Sequence, residues 1–420
     1  MAVTLERQAD LPPSGGTQLD ANFQRRIAEL RKSDNITNWF YIAREYLWLA
    51  MALGVPLAFL HNYQNWGLSW LWNLPVVVLA IIVVGACQHR IANLGHEGGH
   101  YALFKHRLLN ELASNWFALF PMLGSTHTYR MQHLAHHQHL NHPELDPDMV
   151  YMNYLGQSFR YPMPFMKFLW DCVLRHVLWL PNLLRYIFDR AKFANLGGIS
   201  GPYKISRKPA KALTLVTLGY YLSLVGLLTF AVMQSDWRLL MFGPLGLFAA
   251  LTVYVAAVPD DWFAKVGLKC DIPPRWNGLQ RGLYLAMLMT FLAAMTLLTG
   301  HPWPLYYFIL WLVPLGTSFS MYMILREDIQ HSNTGSGRLA QSRDFRGNAL
   351  VRWSVFPMGQ AYHLAHHLYP MVPHYNLPKV DALLRQTEEY RREAVVVDSL
   401  LWPQGKSTGG EPTNEPSAAV

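Results

Sequence analysis

Three short histidine-rich segments carry the residues of this sequence best suited to chemistry. The first is His96-Glu97-Gly98-Gly99-His100, and the other two, at 133–137 and 363–367, both read His-Leu-Ala-His-His. Residues three or four apart share one face of a helix, so each segment, if helical, presents its imidazoles to one side. The three histidine boxes supply eight imidazoles: His96, His100, His133, His136, His137, His363, His366 and His367. Brought together, they would form a metal site with many nitrogen ligands.

The ligand type limits the choice of metal. Imidazole suits iron, zinc, copper or nickel, and not calcium or magnesium. Eight nitrogens exceed what one four-coordinate zinc ion can use. The boxes therefore predict a centre with two metal ions.

The first box also has the HExxH pattern of zinc proteases, in which Glu97 would be the general base. The two glycines weaken the helix between the ligands, and the other two boxes would have no role. A membrane zinc metalloprotease using residues 96–100 is nevertheless a rival interpretation. A membrane protein that binds metal or lipid without catalysis is another.

The composition indicates an integral membrane protein. Hydrophobic residues make up 51% of the 420 residues and charged residues only 15%, well below the ~25% of a soluble domain. Apolar segments near the length of a membrane crossing occur at 42–60, 74–88, 212–233, 239–258, 282–299 and 305–325. The expected fold is an all-α integral membrane protein, with about six transmembrane helices in three hairpins and a cytoplasmic helical cap that carries the boxes.

Charge gives a second view of this topology. The net charge is +8, but the three loops on the side away from the boxes contain one basic residue, Arg238. Because Lys and Arg accumulate on the cytoplasmic side, both termini and all three boxes are expected there. Of the 18 histidines, only His61 and His301 fall on the other side.

The segments between the spans have their own expected structures. Arg90 is expected to end the second span, before the first box. Residues 108–124 are apolar but short, which indicates a re-entrant or surface helix. Residues 160–195 are expected to form an amphipathic helix in the membrane interface, interrupted at Pro181.

Three regions are expected along the chain. Residues 1–40 are predicted to be a partly disordered N-terminal cytoplasmic segment, in which Ala21–Lys32 forms a short surface helix. Residues 41–400 are predicted to form one membrane domain, and 401–420 a disordered tail. Three cysteines without CxxC spacing argue against a disulfide framework.

The boxes and their flanks resemble the membrane fatty acid desaturase superfamily, which includes desaturases, hydroxylases and carotenoid oxygenases. Tyr101-Ala102-Leu103-Phe104 follows the first box, with Asn110 shortly after. The second box leads to Asn141 and Asp146-Pro147-Asp148, and the third to Leu368-Tyr369-Pro370 and on to Pro378. The resemblance covers roughly residues 40–390.

This resemblance implies a non-haem di-iron centre, dioxygen as co-substrate and two electrons per turnover. No haem, ferredoxin or flavin motif is present, so the electrons are expected from a separate protein of the ferredoxin, rubredoxin or cytochrome b5 type. The resemblance also implies His331 as a ninth ligand, and no catalytic residue beyond the ligands. The implied activity is desaturation of an acyl-lipid or acyl-CoA. Hydroxylation, ketolation or decarboxylation of a lipid or carotenoid remains open.

Other polar residues near the boxes are expected to play supporting roles. Glu97 and Asp148 are candidates for orienting ligand imidazoles, and capping or solvated carboxylates are the alternative. Four more histidines lie off the box spacing and are expected in supporting or surface positions: His106, His139, His142 and His374.

Overall fold

The structure is a computed structural model that describes residues 21–155, 164–196, 207–263, 270–332, 334–335 and 337–398. The tails expected to be disordered, 1–20 and 401–420, lie outside the described residues. The helices, in chain order, are α1 (Ala21–Leu30), α2 (Thr37–Asn62), α3 (Asn73–Gly99), α4 (Arg107–Ser114), α5 (Thr126–Gln138), α6 (Pro147–Leu155), α7 (Phe165–Phe168), α8 (Leu180–Leu196), α9 (Arg207–Met233), α10 (Trp237–Ala257), α11 (Pro274–Thr299), α12 (Trp303–Tyr307), α13 (Val313–Gly316), α14 (Ser318–His331), α15 (Ala349–Ser354), α16 (His363–Leu368), α17 (Leu377–Leu384) and α18 (Glu388–Glu393).

Within the described part of the chain, six helical segments are long and apolar enough to cross a membrane. They are Thr37–Asn62, Trp70–Gly99, Ala212–Met233, Trp237–Ala257, Pro274–Thr299 and Trp303–His331. These segments confirm the six predicted crossings and the all-α membrane fold. The protein is therefore a multi-pass membrane protein.

The prediction that Arg90 ends the second span is wrong, because α3 continues to Gly99 and carries the first box on its last turns. The charge of Arg90 is compensated inside the protein, because its side chain is buried against Glu45 of α2. Its guanidinium donates to both carboxylate oxygens, at 2.5 and 2.8 Å, and to the Trp353 carbonyl at 2.9 Å. A buried charge with such partners does not have to end a helix.

Helix α3 packs closely against α14, which carries His331. A Cβ atom added at Gly85 would collide with the Ser318 side chain and lie 2.7 Å from the Phe319 backbone nitrogen. Ser318 Oγ donates to the Ile81 carbonyl at 2.6 Å. Small residues allow spanning helices to approach this closely, which brings the ends of α3 and α14 together.

The short segments between the spans largely match their expectations. Helix α4 continues into a π-helical stretch, Asn115–Leu119, that is too short to cross a membrane. Residues 165–196 form a helix that breaks at Trp179, two residues before the expected Pro181. Apolar side chains such as Trp170 and Leu178 are exposed there, as an amphipathic interfacial helix requires.

The C-terminal segment forms a helical cap over the ends of the spanning helices. Two three-residue strands, β1 (Arg343–Phe345) and β2 (Val395–Val397), pair in parallel, with Asp344 opposite Val396. Helix α1, expected from the sequence, packs against α17 through the buried Ile27. The two ends of the described chain are thereby tied to the same cap.

Candidate metal centre

The first box sits where α3 ends, and its glycines allow close packing there. A Cβ atom at Gly98 would collide with the Ser114 side chain of α4. The Gly98 carbonyl accepts a hydrogen bond from Asn110 Nδ2 at 2.9 Å, and the Gly99 carbonyl accepts one from Arg130 Nε at 2.9 Å. These donors satisfy carbonyls that the helix end leaves unpaired.

The second box lies on α5, which is held close to the first box. Ser125 caps this helix by accepting from the Thr128 amide at 3.3 Å, and the Thr126 amide donates to Asn115 Oδ1 at 2.9 Å. The Tyr129 ring stacks on His133 with 5.1 Å between centroids.

The third box lies on α16, a helix of only six residues. Its second amide, that of Leu364, donates to Asp344 Oδ1 at 2.9 Å. The Tyr390 hydroxyl lies within hydrogen-bond distance of both Asp344 Oδ2 and Asp381 Oδ1, at 3.2 and 3.0 Å. The cap therefore fixes a helix that is too short to be stable alone.

The three boxes meet and form two adjacent groups of imidazoles. In the first histidine cluster the candidate ligand nitrogens all lie within 4.8 Å of one another, and its members are His96, His100, His133, His137 and His366.

The second histidine cluster forms around His331. The ligand nitrogens of His136, His331 and His367 lie within 4.8 Å of one another. His363 Nε2 lies 2.7 Å from His331 Nε2 and 3.0 Å from His367 Nε2, so it completes the group. All nine histidines named from the sequence are thus brought together, including His331.

Seven of the nine imidazoles are buried, and His137 and His367 are half-buried. With the exception of His136, the box histidines outside the spanning helices have a pKa that is lowered by burial, with a further contribution from neighbouring charges, and this leaves their nitrogen lone pairs free. These histidines are His100, His133, His137, His363, His366 and His367.

The contacts inside each cluster fit a metal ion better than hydrogen bonds. His137 Nε2 faces both His133 Nε2, at 3.1 Å, and His366 Nε2, at 3.2 Å, but a neutral imidazole has only one N–H to donate. His100 Nε2 is buried with no hydrogen-bond partner among the described residues. Two nitrogens bound about 2.1 Å from one ion lie roughly 3 Å apart, which matches these separations.

Asp146 orients His136, the candidate ligand that precedes His137 of the first cluster in the chain. His136 Nδ1 lies 3.0 Å from both Asp146 oxygens and 3.5 Å from Asp148 Oδ2. Although desolvation opposes the charge, Asp146 raises the pKa of His136 to about 9. An Nδ1–H held by a carboxylate leaves Nε2 for a metal. The sequence indicated Asp148 as a candidate, and Asp148 also approaches His136, but Asp146 lies closer. Asp146 immediately precedes α6, and its position in the chain provided no signal that distinguished it from Asp148.

Glu97 lies beside the first cluster in a supporting position. Its Oε1 is 3.4 Å from His96 Nδ1, and its Oε2 accepts from the His374 amide at 2.8 Å. A carboxylate on the outer nitrogen of a histidine orients that ring, whereas the base of a zinc protease must face the bound water. This geometry does not support the protease interpretation.

The four histidines off the box spacing stay outside both clusters. His374 is buried, with Nε2 3.0 Å from Asn38 Oδ1. His106 caps α4 by accepting from the Leu109 amide. His142 accepts from two amides of its turn, and His139 follows the last residue of α5.

Comparison with known proteins identifies the family to which this chain belongs. The fatty acid desaturase family model matches residues 72–277 and 237–397, so the chain belongs to this family. The protein is therefore an oxidoreductase of the desaturase type, with histidine clusters able to bind metal.

Two characterised relatives are desaturases. Dihydrorhizobitoxine desaturase of Bradyrhizobium elkanii is 23% identical over 395 residues, which cover 93% of this chain and 87% of that protein. The sn-1 oleoyl-lipid 12-desaturase of Synechocystis sp. is 26% identical over 149 residues, which cover 33% of this chain and 39% of that protein.

Replacing Asp146 by Asn should weaken metal binding about 10- to 100-fold, as loss of such an outer partner typically does. The amide keeps the size of the side chain but cannot hold the His136 proton with a negative charge. Metal retained against a competing chelator measures the effect. Asp148→Asn is the matched control, with a smaller expected loss, and equal losses in the two variants would contradict this assignment.

Replacing Gly98 by Ala should displace α4 or the first box, because the new methyl group overlaps Ser114. Such overpacking costs about 1–3 kcal/mol. We expect a lower thermal midpoint and less bound metal per chain. Gly124→Ala, whose Cβ would make an ordinary 3.6 Å contact, should change neither. Wild-type metal content in Gly98→Ala would show that the packing is not needed.

Proposed function

We propose that the protein is a di-iron, dioxygen-dependent desaturase that introduces a double bond into an acyl chain. The observation that carries the proposal is the pair of adjacent histidine clusters. Five imidazoles would hold one iron and four the other, since His363 belongs with His136, His331 and His367. His136 and His137, neighbours in the chain, join the two groups.

The iron pair and the protein side chains would have different roles in this reaction. When bound, the iron pair supplies the activation of dioxygen and the oxidation of an unactivated C–H bond, which no acid–base side chain can perform. The balanced reaction takes two hydrogens from adjacent carbons, dioxygen, two electrons and two protons, and gives a double bond and two waters. The Asp146 and Glu97 carboxylates hold the rings of His136 and His96, and burial of the clusters excludes bulk water.

The electrons would come from a separate protein of the ferredoxin, rubredoxin or cytochrome b5 type. We further propose that the boxes and both termini face the cytoplasm, which the positive-inside pattern supports. Residues 41–400 would act as one domain, and the packing of α3 against both α14 and α15 supports this arrangement.

The proposed substrate is an acyl-lipid or acyl-CoA. Membership of the fatty acid desaturase family and the membrane-spanning helices support it. A second candidate substrate is dihydrorhizobitoxine or a similar molecule. It is named by the desaturase that aligns with most of this chain. A hydroxylase, ketolase or decarboxylase outcome on a lipid or carotenoid would use the same clusters.

Elemental analysis of the detergent-purified protein should find two irons per chain. The double variant His136→Ala/His137→Ala should lose both, because it removes a ligand from each cluster. His301→Ala, which removes an exposed imidazole at the far end of the helices, should keep them. One zinc per chain, unaffected by the double variant, would overturn the proposal in favour of the protease.

Expression in a host lacking the activity should produce a new unsaturated acyl chain, visible by gas chromatography–mass spectrometry of its lipids. His331→Ala should lower the product at least about tenfold by removing one ligand of the second cluster. His139→Ala, outside both clusters, should retain it. Hydroxylated chains instead would move the reaction to oxygen insertion. Unchanged lipids with conversion of added dihydrorhizobitoxine would exclude the acyl substrate.

A further inference from the structure

An apolar groove runs along the outside of the first helical hairpin, away from the histidine clusters. It encloses a cavity of about 390 Å³, within the ~300–1,000 Å³ range of small-molecule sites. Its side chains recur at helical spacing on both helices, so one face of each forms a wall. Wall residues include Trp48, Ala52, Val55 and Phe59 of α2, and Leu79 and Val83 of α3.

The length and surroundings of the groove match one acyl chain. Trp48 and Phe59 lie about 16 Å apart along α2 at 1.5 Å per residue. Half of a ~30 Å hydrocarbon core is about 15 Å, the depth that a lipid tail occupies in one leaflet. Val55 is 70% exposed and Leu79 is 62% exposed. In a spanning hairpin, these side chains face the lipid.

Arginines stand at the box end of both walls. Arg44 lies one turn before Trp48 on α2, and Arg90 lies three residues after the groove residue Cys87 on α3. The Arg90 side chain already pairs with Glu45, because it donates hydrogen bonds to both carboxylate oxygens. Arg44 also reaches Glu45, at 2.6 Å, but 45% of its side chain is exposed. Two guanidinium groups therefore share one carboxylate.

A further arginine adds positive charge at this end. Trp353 of α15 lines the groove, and its ring lies 5.8 Å from that of Trp48. The adjacent Arg352 is exposed, and no ion pair holds its side chain among the described residues. The groove is thus apolar along its length, and three arginines and one carboxylate, that of Glu45, lie on the helices at its box end.

We propose that this groove binds one acyl chain of an anionic phospholipid, with the phosphate against Arg44 and Arg352. Guanidinium groups bind phosphate through paired hydrogen bonds, and the tail fills a groove of leaflet length. The site is separate from the desaturation site: Cys87 lies about 13 Å before His96 along α3, and the tail points away from the clusters. The proposal does not depend on the iron or the substrate.

Native mass spectrometry of the delipidated protein tests the site directly. The probes are phosphatidylglycerol and phosphatidylcholine with the same acyl chains. The wild type should bind one phosphatidylglycerol about tenfold more tightly than phosphatidylcholine, as expected for a charge-assisted contact. Arg44→Gln/Arg352→Gln should lose this preference. Ala52→Trp should weaken both lipids by filling the groove, and Arg25→Gln, an exposed arginine of α1, should behave as wild type.

Several results would overturn the site. Equal affinity of the wild type for the two lipids would remove the role of the arginines, as would an unchanged preference in the double variant. Unaltered lipid binding by Ala52→Trp would place the lipid elsewhere, and dimer formation that Ala52→Trp abolishes would assign the groove to a second copy. Elution volume and metal content show that each variant is folded; Val55→Trp replaces Ala52→Trp if that variant misfolds.

Discussion

The structure depends on holding uncharged imidazole nitrogens against one another in a buried site. Nitrogens such as His331 Nε2 and His363 Nε2 approach to 2.7 Å, where lone pairs repel unless a proton or a cation lies between them. A neutral imidazole has one N–H to donate, so hydrogen bonds alone cannot account for a nitrogen that faces two others. The fold must therefore supply the positioning, and a bound metal ion would supply the attraction. The spanning helices and the cap supply that positioning.

The spanning helices contribute by extending beyond the apolar segments. Helix α3 reaches the first box because Arg90 is buried with Glu45, and α14 reaches His331 through the adjacent buried pair Arg326 and Glu327. Buried ion pairs are weak contributors to stability but costly to break. Here they allow charged residues inside long helices, so that ligands sit on rigid elements instead of loops.

The cap positions the third box, which lies on a helix of only six residues. Asp344 accepts the Leu364 amide and is held in turn by Tyr390, which also binds Asp381. Parallel pairing of β1 with β2 fixes the backbone of Asp344. Residues after the last box, Asp381 and Tyr390 among them, thus help to fix the position of its imidazoles.

The sequence alone predicted the spans and the eight box histidines, because hydropathy and three- and four-residue spacing are local properties. His331 and the class of chemistry came from the family resemblance of the motifs. The prediction from the sequence was wrong about the end of α3, since the partner that buries Arg90 lies 45 residues away on α2. It named Asp148 as a candidate to orient an imidazole, and Asp148 does approach His136, but the closer carboxylate, Asp146, was found only in the tertiary structure. Which imidazoles share a cluster was decided by tertiary structure: His366 joins the first box, whereas His136 joins His331 and the other two third-box histidines. Neighbours on one helix, such as His136 and His137, point to different clusters because a turn of 100° per residue separates them.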